Sequence, residues 1–266
     1  MPTTGESTTV TLNLAGSGTV ELTVEQRGDG QPFLVLHGGA GPQSVSAFAE
    51  LLAHKDRNRV ITPTHPGFGG TVRPEGLHSI AGLATLYGCL LEDFALEDVI
   101  VIGNSVGGWI AAEMALRGSP RITGIVLVDA VGIEVDGHPV ADVSGLSVPE
   151  IQALSFHDPS PFRADPGAIP DAQKTIIATN AAALAAYVGG PAMCDPTLVG
   201  RLGGIAIPTL VLWGESDQIV VPAYGRAYAT AIHGARFEVL PATGHMPQME
   251  TPELVLQAMW DADESP

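Results

Sequence analysis

Hydrophobic and polar positions change rhythm along the chain. Residues 8–14 and 19–26 alternate apolar and polar side chains on either side of Gly16-Ser17-Gly18. That pattern predicts an antiparallel hairpin with one face on a core. From residue 33 onward the alternation gives way to short, nearly unbroken apolar runs: Phe33-Leu34-Val35-Leu36, Val99-Ile100-Val101-Ile102, Ile125-Val126-Leu127-Val128 and Leu210-Val211-Leu212-Trp213. Runs of this kind suit strands covered on both faces, hence a parallel sheet. Residues 59–61 and 236–240 are further strand candidates. Helical periodicity occupies 46–53, 80–94, 106–116, 223–232 and 252–260. The alternation predicts an α/β architecture, a mostly parallel, doubly wound, eight-stranded sheet.

One interval breaks the rhythm. Between 132 and about 207 no strong buried strand occurs, and Pro, Asp and Gly are frequent. That is too long for a crossover loop, so it reads as a helical cap inserted into a core made of residues 1–131 and 208–266. Its uncharged stretch 175–194 is about long enough to span a bilayer. Thr179, Asn180, Gly189, Gly190 and Pro191 interrupt it, which favours a buried or lid-forming helix.

Composition narrows the function classes. Hydrophobic residues make up 45% of the 266 and charged residues 15%, which excludes a disordered chain. Twelve Lys and Arg against 29 Asp and Glu give a net charge of −17. So acidic a surface repels phosphate backbones and anionic headgroups, which argues against nucleic-acid or membrane partners. Cys89 and Cys194 lack metal-ligand spacing and read as buried thiols of a reducing compartment. The first ten residues lack the basic and apolar regions of a signal peptide, so a cytoplasmic protein is expected.

The strongest chemical signal is Gly103-Asn104-Ser105-Val106-Gly107, between an apolar strand and a helix. This is G-x-S-x-G in the strand–turn–helix context of a nucleophile elbow. The sharp turn exposes the serine hydroxyl at a helix N-terminus, where free N–H groups favour a developing anion. A serine needs a base. His245, in Ala242-Thr243-Gly244-His245-Met246 after the last strand, falls at the same sheet edge, whereas His54, His78, His138, His157 and His233 have no such context. The acid that orients it is Asp217, after the strand ending at Trp213, with Asp129 and Glu215 as competitors. His37-Gly38-Gly39-Ala40-Gly41-Pro42 follows the strand 33–36, so the Gly39 and Val106 N–H groups form the candidate oxyanion hole. His37 is expected to brace that loop.

Together with His65-Pro66-Gly67-Phe68-Gly69, these motifs resemble the α/β-hydrolase family, serine-nucleophile branch, over 10–260. Thr64 stands where that family often has Asp. The elbow, the His-Gly-Gly loop and Gly244-His245-Met246-Pro247-Gln248-Met249-Glu250 are similar to the carbon–carbon bond (meta-cleavage product) hydrolases. Those enzymes usually carry Trp where this chain has Met246, and use a cap Arg, for which Arg163 is the candidate. Dehalogenases and epoxide hydrolases of this fold place Asp at the position of Ser105. Other enzyme classes lack their marks: no intact G-x-G-x-x-G, no P-loop, no His/Cys/Asp cluster at metal spacing, so no cofactor or metal is expected.

The expectation is a serine hydrolase of a small, largely apolar carbonyl substrate, cleaving an ester. Carbon–carbon cleavage of a vinylogous diketo acid is the alternative, followed by a lyase or perhydrolase and by a non-catalytic ligand receptor on the same fold. Candidate pocket residues are Gly38, Asn104, Trp109, Phe156, Phe162, Tyr187, Met193 and Met246. The oligomeric state is open, a homodimer included.

Overall fold

A computed structural model describes residues 5–14, 18–55, 57–163, 167 and 169–263, with the side chains of 262 and 263 excepted. Gly16 and Ser17 of the expected hairpin turn lie outside the described residues. The hairpin's strands are β1 (Glu6–Leu14) and β2 (Gly18–Arg27), paired antiparallel from Glu6↔Gln26 to Leu14↔Gly18. The buried apolar runs become β3 (Gln31–Leu36), β4 (Asn58–Pro63), β5 (Val99–Asn104), β6 (Ile122–Val128), β7 (Thr209–Gly214) and β8 (Arg236–Leu240). The sheet order is β1-β2-β4-β3-β5-β6-β7-β8. β2 meets β4 antiparallel, and the remaining pairs are parallel.

Side chains of the parallel strands alternate between two cores. Leu34, Leu36, Val99, Val101, Ile125, Leu127, Val211 and Trp213 face one, with α2 (Ile80–Asp93), α3 (Val106–Leu116) and α7 (Pro222–Ala231). Phe33, Val35, Ile102, Val126, Val128, Leu210 and Leu212 face the other, with α1 (Gln43–His54) and, after the one-turn α8 (Pro247–Glu250), α9 (Pro252–Asp263). Helices on both faces explain why these strands read as continuous apolar runs.

The chain passes from β3 out to β4, then back across β3 to β5, its other neighbour. The loops leaving β3 and β5 therefore diverge in opposite directions. At such a switch point the carboxyl ends of the strands leave a crevice, the usual ligand position of open α/β sheets.

Between β6 and β7 lie α4 (Val148–Ser155), a short 3-10 turn (Ser160–Phe162), α5 (Asp171–Val188), α6 (Leu198–Arg201) and a second 3-10 turn (Leu202–Gly204). Among the described residues this segment adds no strand to the sheet, only the isolated bridge Gly132↔Cys194. α5 stops at Gly189, which takes the left-handed conformation (φ 74°) that ends helices. Its buried residues are Asn180, Ala183, Tyr187 and Val188. Among the described residues no helix is long and apolar enough to cross a membrane. The cysteines depart from expectation: both are free thiols but half-buried, Cys89 at the margin of the core and Cys194 in the segment after α5.

Candidate active site

Ser105 follows β5 at φ 56°, ψ −118°, a conformation that L-residues adopt only under strain. The close packing that enforces it needs glycine on both sides. A Cβ at Gly103 would stand 2.1 Å from Gly107 O, and one at Gly107 would stand 2.3 Å from Leu36 O. α3 then starts directly after Ser105, so its first N–H groups point at the crevice. Ser105 O accepts from Gly108 and Trp109, and Ser105 N–H donates to Val128 O, which pins the elbow to β6.

His245 and Asp217 come from the loops after β8 and β7. His245 Nδ1 lies 2.8 Å from Asp217 Oδ2, and both residues are buried. Asp217 Oδ1 accepts from Ile219 N–H at 2.8 Å and Val220 N–H at 3.0 Å. Carboxylate and imidazole thus hold each other with Nδ1–H donating, which leaves Nε2 as the basic nitrogen. The loop is fixed by His245 N–H to Ser155 O (2.7 Å) and by Asn104 Nδ2 to His245 O (3.0 Å). Among the described residues no hydrogen bond joins Ser105 Oγ to the His245 ring. Catalytic hydrogen bonds of hydrolytic sites often tighten only when substrate is bound.

The competing acids have other partners. Asp129, after β6, accepts from Gly214 N–H at 2.8 Å, and Glu215 accepts from Ala242 N–H at 3.0 Å. Burial, then the neighbouring Asp217 charge, push the Asp129 carboxyl well above the usual carboxylate range. Asp129, Asp217 and His245 are the one grouping of metal-ligand types found among the described residues.

The candidate oxyanion loop is set by a buried histidine pair. Gly38 lies against Ser105, its added Cβ falling 3.0 Å from Ser105 Cβ. His37 Nε2 accepts from His65 N–H (3.0 Å), so its proton sits on Nδ1, 2.8 Å from Gly38 O. His65 Nε2 donates to His37 O (2.8 Å), leaving Nδ1 to accept from Tyr87 Oη–H. The two rings stack with centroids 3.7 Å apart. Burial drives the His37 pKa down to about 4 and His65 well below the usual imidazole value. Both are therefore neutral braces at neutral pH. Neither Gly39 N–H nor Val106 N–H donates to a protein acceptor among the described residues.

The candidate pocket residues divide. Tyr187 Oη–H donates to Pro66 O (2.8 Å), and Leu184, one turn earlier on α5, covers Gly39, with 2.9 Å from Leu184 Cδ2 to an added Cβ. Phe156 and Phe162 stack at 4.1 Å. Trp109 packs on Gly132. Asn104 acts as a clamp, accepting from Gln248 Nε2 (3.2 Å), whose amide also contacts Met246 Sδ (3.8 Å). Met193 is half-buried in the segment after α5. Arg163 is exposed beyond Phe162.

Sequence reasoning missed two residues. Glu250 accepts from Gly244 N–H (2.7 Å), His157 N–H (3.2 Å) and Asp158 N–H (2.8 Å), joining the His245 loop to the segment after α4. Asn180 accepts from Gly69 N–H (2.9 Å). The signal for Asn180 was a polar side chain immediately before the apolar run 181–188.

The family model described as "Alpha/beta hydrolase family" matches residues 33–258. The chain belongs to the alpha/beta hydrolase family. This hydrolase is 27% identical over 255 residues to the 2-hydroxy-6-oxo-2,4-heptadienoate hydrolase of Pseudomonas putida, covering 88% of this chain and 89% of that protein. It is 26% identical over 254 residues to Lipase 3 of Moraxella sp., covering 90% and 79%. Among solved structures, the hydrolase resembles a thermophilic esterase from Thermogutta terrifontis, with TM-score 0.77, 28% identity and coverage of 96% and 97%. Its type is therefore that of esterases, lipases or carbon–carbon bond hydrolases.

Proposed function

We propose that this hydrolase cleaves an ester of a small, largely apolar, uncharged substrate through Ser105, His245 and Asp217. Ser105 Oγ attacks the carbonyl carbon while His245 Nε2 takes its proton. Asp217 fixes the tautomer and stabilises the imidazolium. The Gly39 and Val106 N–H groups receive the oxyanion, each such donor being worth about 3 kcal/mol in the transition state. The imidazolium returns its proton to the leaving alcohol, and water then releases the acyl group by the same steps reversed. Residues 132–207 act as the cap, with α5 laid over the oxyanion loop.

The observation that carries this reading is the strained Ser105 backbone at a helix start, beside a buried Asp217–His245 pair. The choice of a neutral ester rests on the charges nearby. Among the described residues the buried polar side chains include no lysine or arginine. Arg201 is taken by Glu113 and Asp195, and Arg73 donates to Leu77 O. A vinylogous diketo acid would need a cation for its carboxylate. Carbon–carbon cleavage remains the second reading, favoured by the similarity to the Pseudomonas putida hydrolase.

Steady-state assays of short p-nitrophenyl esters beside a vinylogous diketo acid test the choice. The expected kcat/KM ratio favours the esters by tenfold or more, about 1.4 kcal/mol of transition-state discrimination. The opposite ratio assigns the site to carbon–carbon cleavage.

A further inference from the structure

Asp129 is a buried carboxyl for which the proposed mechanism has no role. It sits at the end of β6 with φ 46°, a strained value for a residue with a side chain, and is fully buried. Its Oδ1 accepts from Gly214 N–H. Among the described residues its buried Oδ2 has no hydrogen-bond partner of standard geometry. A carboxylate oxygen of Asp129, one of Asp217 and a His245 ring nitrogen all lie within 4.8 Å of one another.

Two carboxylates this close, both out of water, do not both ionise. Which one keeps the charge follows from the donors each receives. Asp217 has three: Ile219 N–H, Val220 N–H and His245 Nδ1–H. Among the described residues Asp129 has one donor, Gly214 N–H. Hydrogen bonds to the charged form favour it, so the charge belongs on Asp217 and the proton on Asp129. The titratable groups facing Asp129 come from two loops, Asp217 after β7 and His245 after β8.

We propose that Asp129 is a carboxylic acid at neutral pH, its Oδ2 proton directed at the Asp217 carboxylate, and that it serves as a positioning residue for the Asp217–His245 pair. The shared proton supplies the missing partner of Oδ2 and gives Asp217 a fourth donor. It holds the carboxylate in the plane that His245 requires, and stays on Asp129 throughout turnover. As a role within the reaction this rests on the proposed triad, whereas the protonation itself does not.

An asparagine is the shape and hydrogen-bonding equivalent of a protonated aspartic acid, so Asp129→Asn and Asp129→Ala separate the cases. Infrared difference spectra at pH 7.5, without substrate, are expected to show the carbonyl band of a protonated carboxylic acid in the wild type and its loss in Asp129→Asn. With an ester substrate, Asp129→Asn is expected to keep kcat/KM within about threefold and leave the acidic limb of its pH profile in place. Asp129→Ala, which removes the donor, is expected to lose about tenfold or more. Absence of the band overturns the proposal, and so does a displacement of the acidic limb by about a pH unit in Asp129→Asn, the mark of a lost anion. Should Asp129→Asn not fold, the carboxyl carbon resonance of aspartate-labelled wild type decides: a protonated signal that does not titrate between pH 5 and 8 supports the proposal, and an ionised one overturns it. A band present in a protein that turns over no ester would sink the functional reading while leaving the protonation standing.

Discussion

At the level of single residues, the site depends on groups kept neutral as much as on charged ones. His37 and His65 hold the loop that carries Gly39, and His37 Nε2 can accept from His65 N–H only in the uncharged tautomer. Protonating His37 at Nε2 would set a donor against the His65 N–H. The consequence for stability has a definite sign. The folded His37 pKa of about 4 lies below the unfolded value of about 6.5. The folded state is therefore unpenalised above pH 6.5 and loses stability as pH falls from 6.5 to 4, by about 3 kcal/mol in all. Ring resonances followed by NMR should show His37 and His65 neutral at pH 5.5. Titration of His37 near pH 6.5 would contradict the assignment. Ser105, His245 and Asp217 could be named as candidates in the sequence because each follows a strand that fixes its edge of the sheet. What single-residue reading left open was the choice among Asp217, Asp129 and Glu215, since all three follow or end strands at that edge. Only the side-chain direction, Asp217 toward His245 Nδ1 and Asp129 toward Gly214, separates them.

Among the elements, α5 couples the segment between β6 and β7 to the oxyanion loop. Asn180, Ala183, Leu184 and Tyr187 recur at helical spacing and form one face. That face meets Gly69, Gly67, Gly39 and Pro66, while Ile177 on the same helix is exposed. Periodicity alone did not show which face this was, because alanines occupy both sides of the helix. The strands were easier to read: a run such as Leu210 to Trp213 is apolar throughout because helices cover both of its faces. Element ends were less legible, as α1 begins at Gln43 and α9 runs to Asp263. Each polar contact of α5 with the core is worth about 1 kcal/mol. The double variant Asn180→Ala, Tyr187→Phe is therefore expected to speed limited proteolysis within α5 several-fold, with the main melting transition lowered by a few degrees at most. Unchanged proteolysis would show that these contacts do not hold the helix down.

For the whole molecule, one topological fact organises the site. Because β3 lies between β4 and β5, the loop that carries Gly39 and the turn at Ser105 fall at the same sheet edge, and parallel β7 and β8 deliver Asp217 and His245 to that edge. The central claim is that this crevice activates Ser105 as a nucleophile. It is tested most directly by treating the protein with a fluorophosphonate and mapping the adduct by peptide mass spectrometry. The expected result is one stoichiometric adduct on Ser105, absent from Ser105→Ala and slowed strongly in His245→Ala. An intact, folded protein that leaves Ser105 unlabelled, or that labels as fast without His245, would contradict the account.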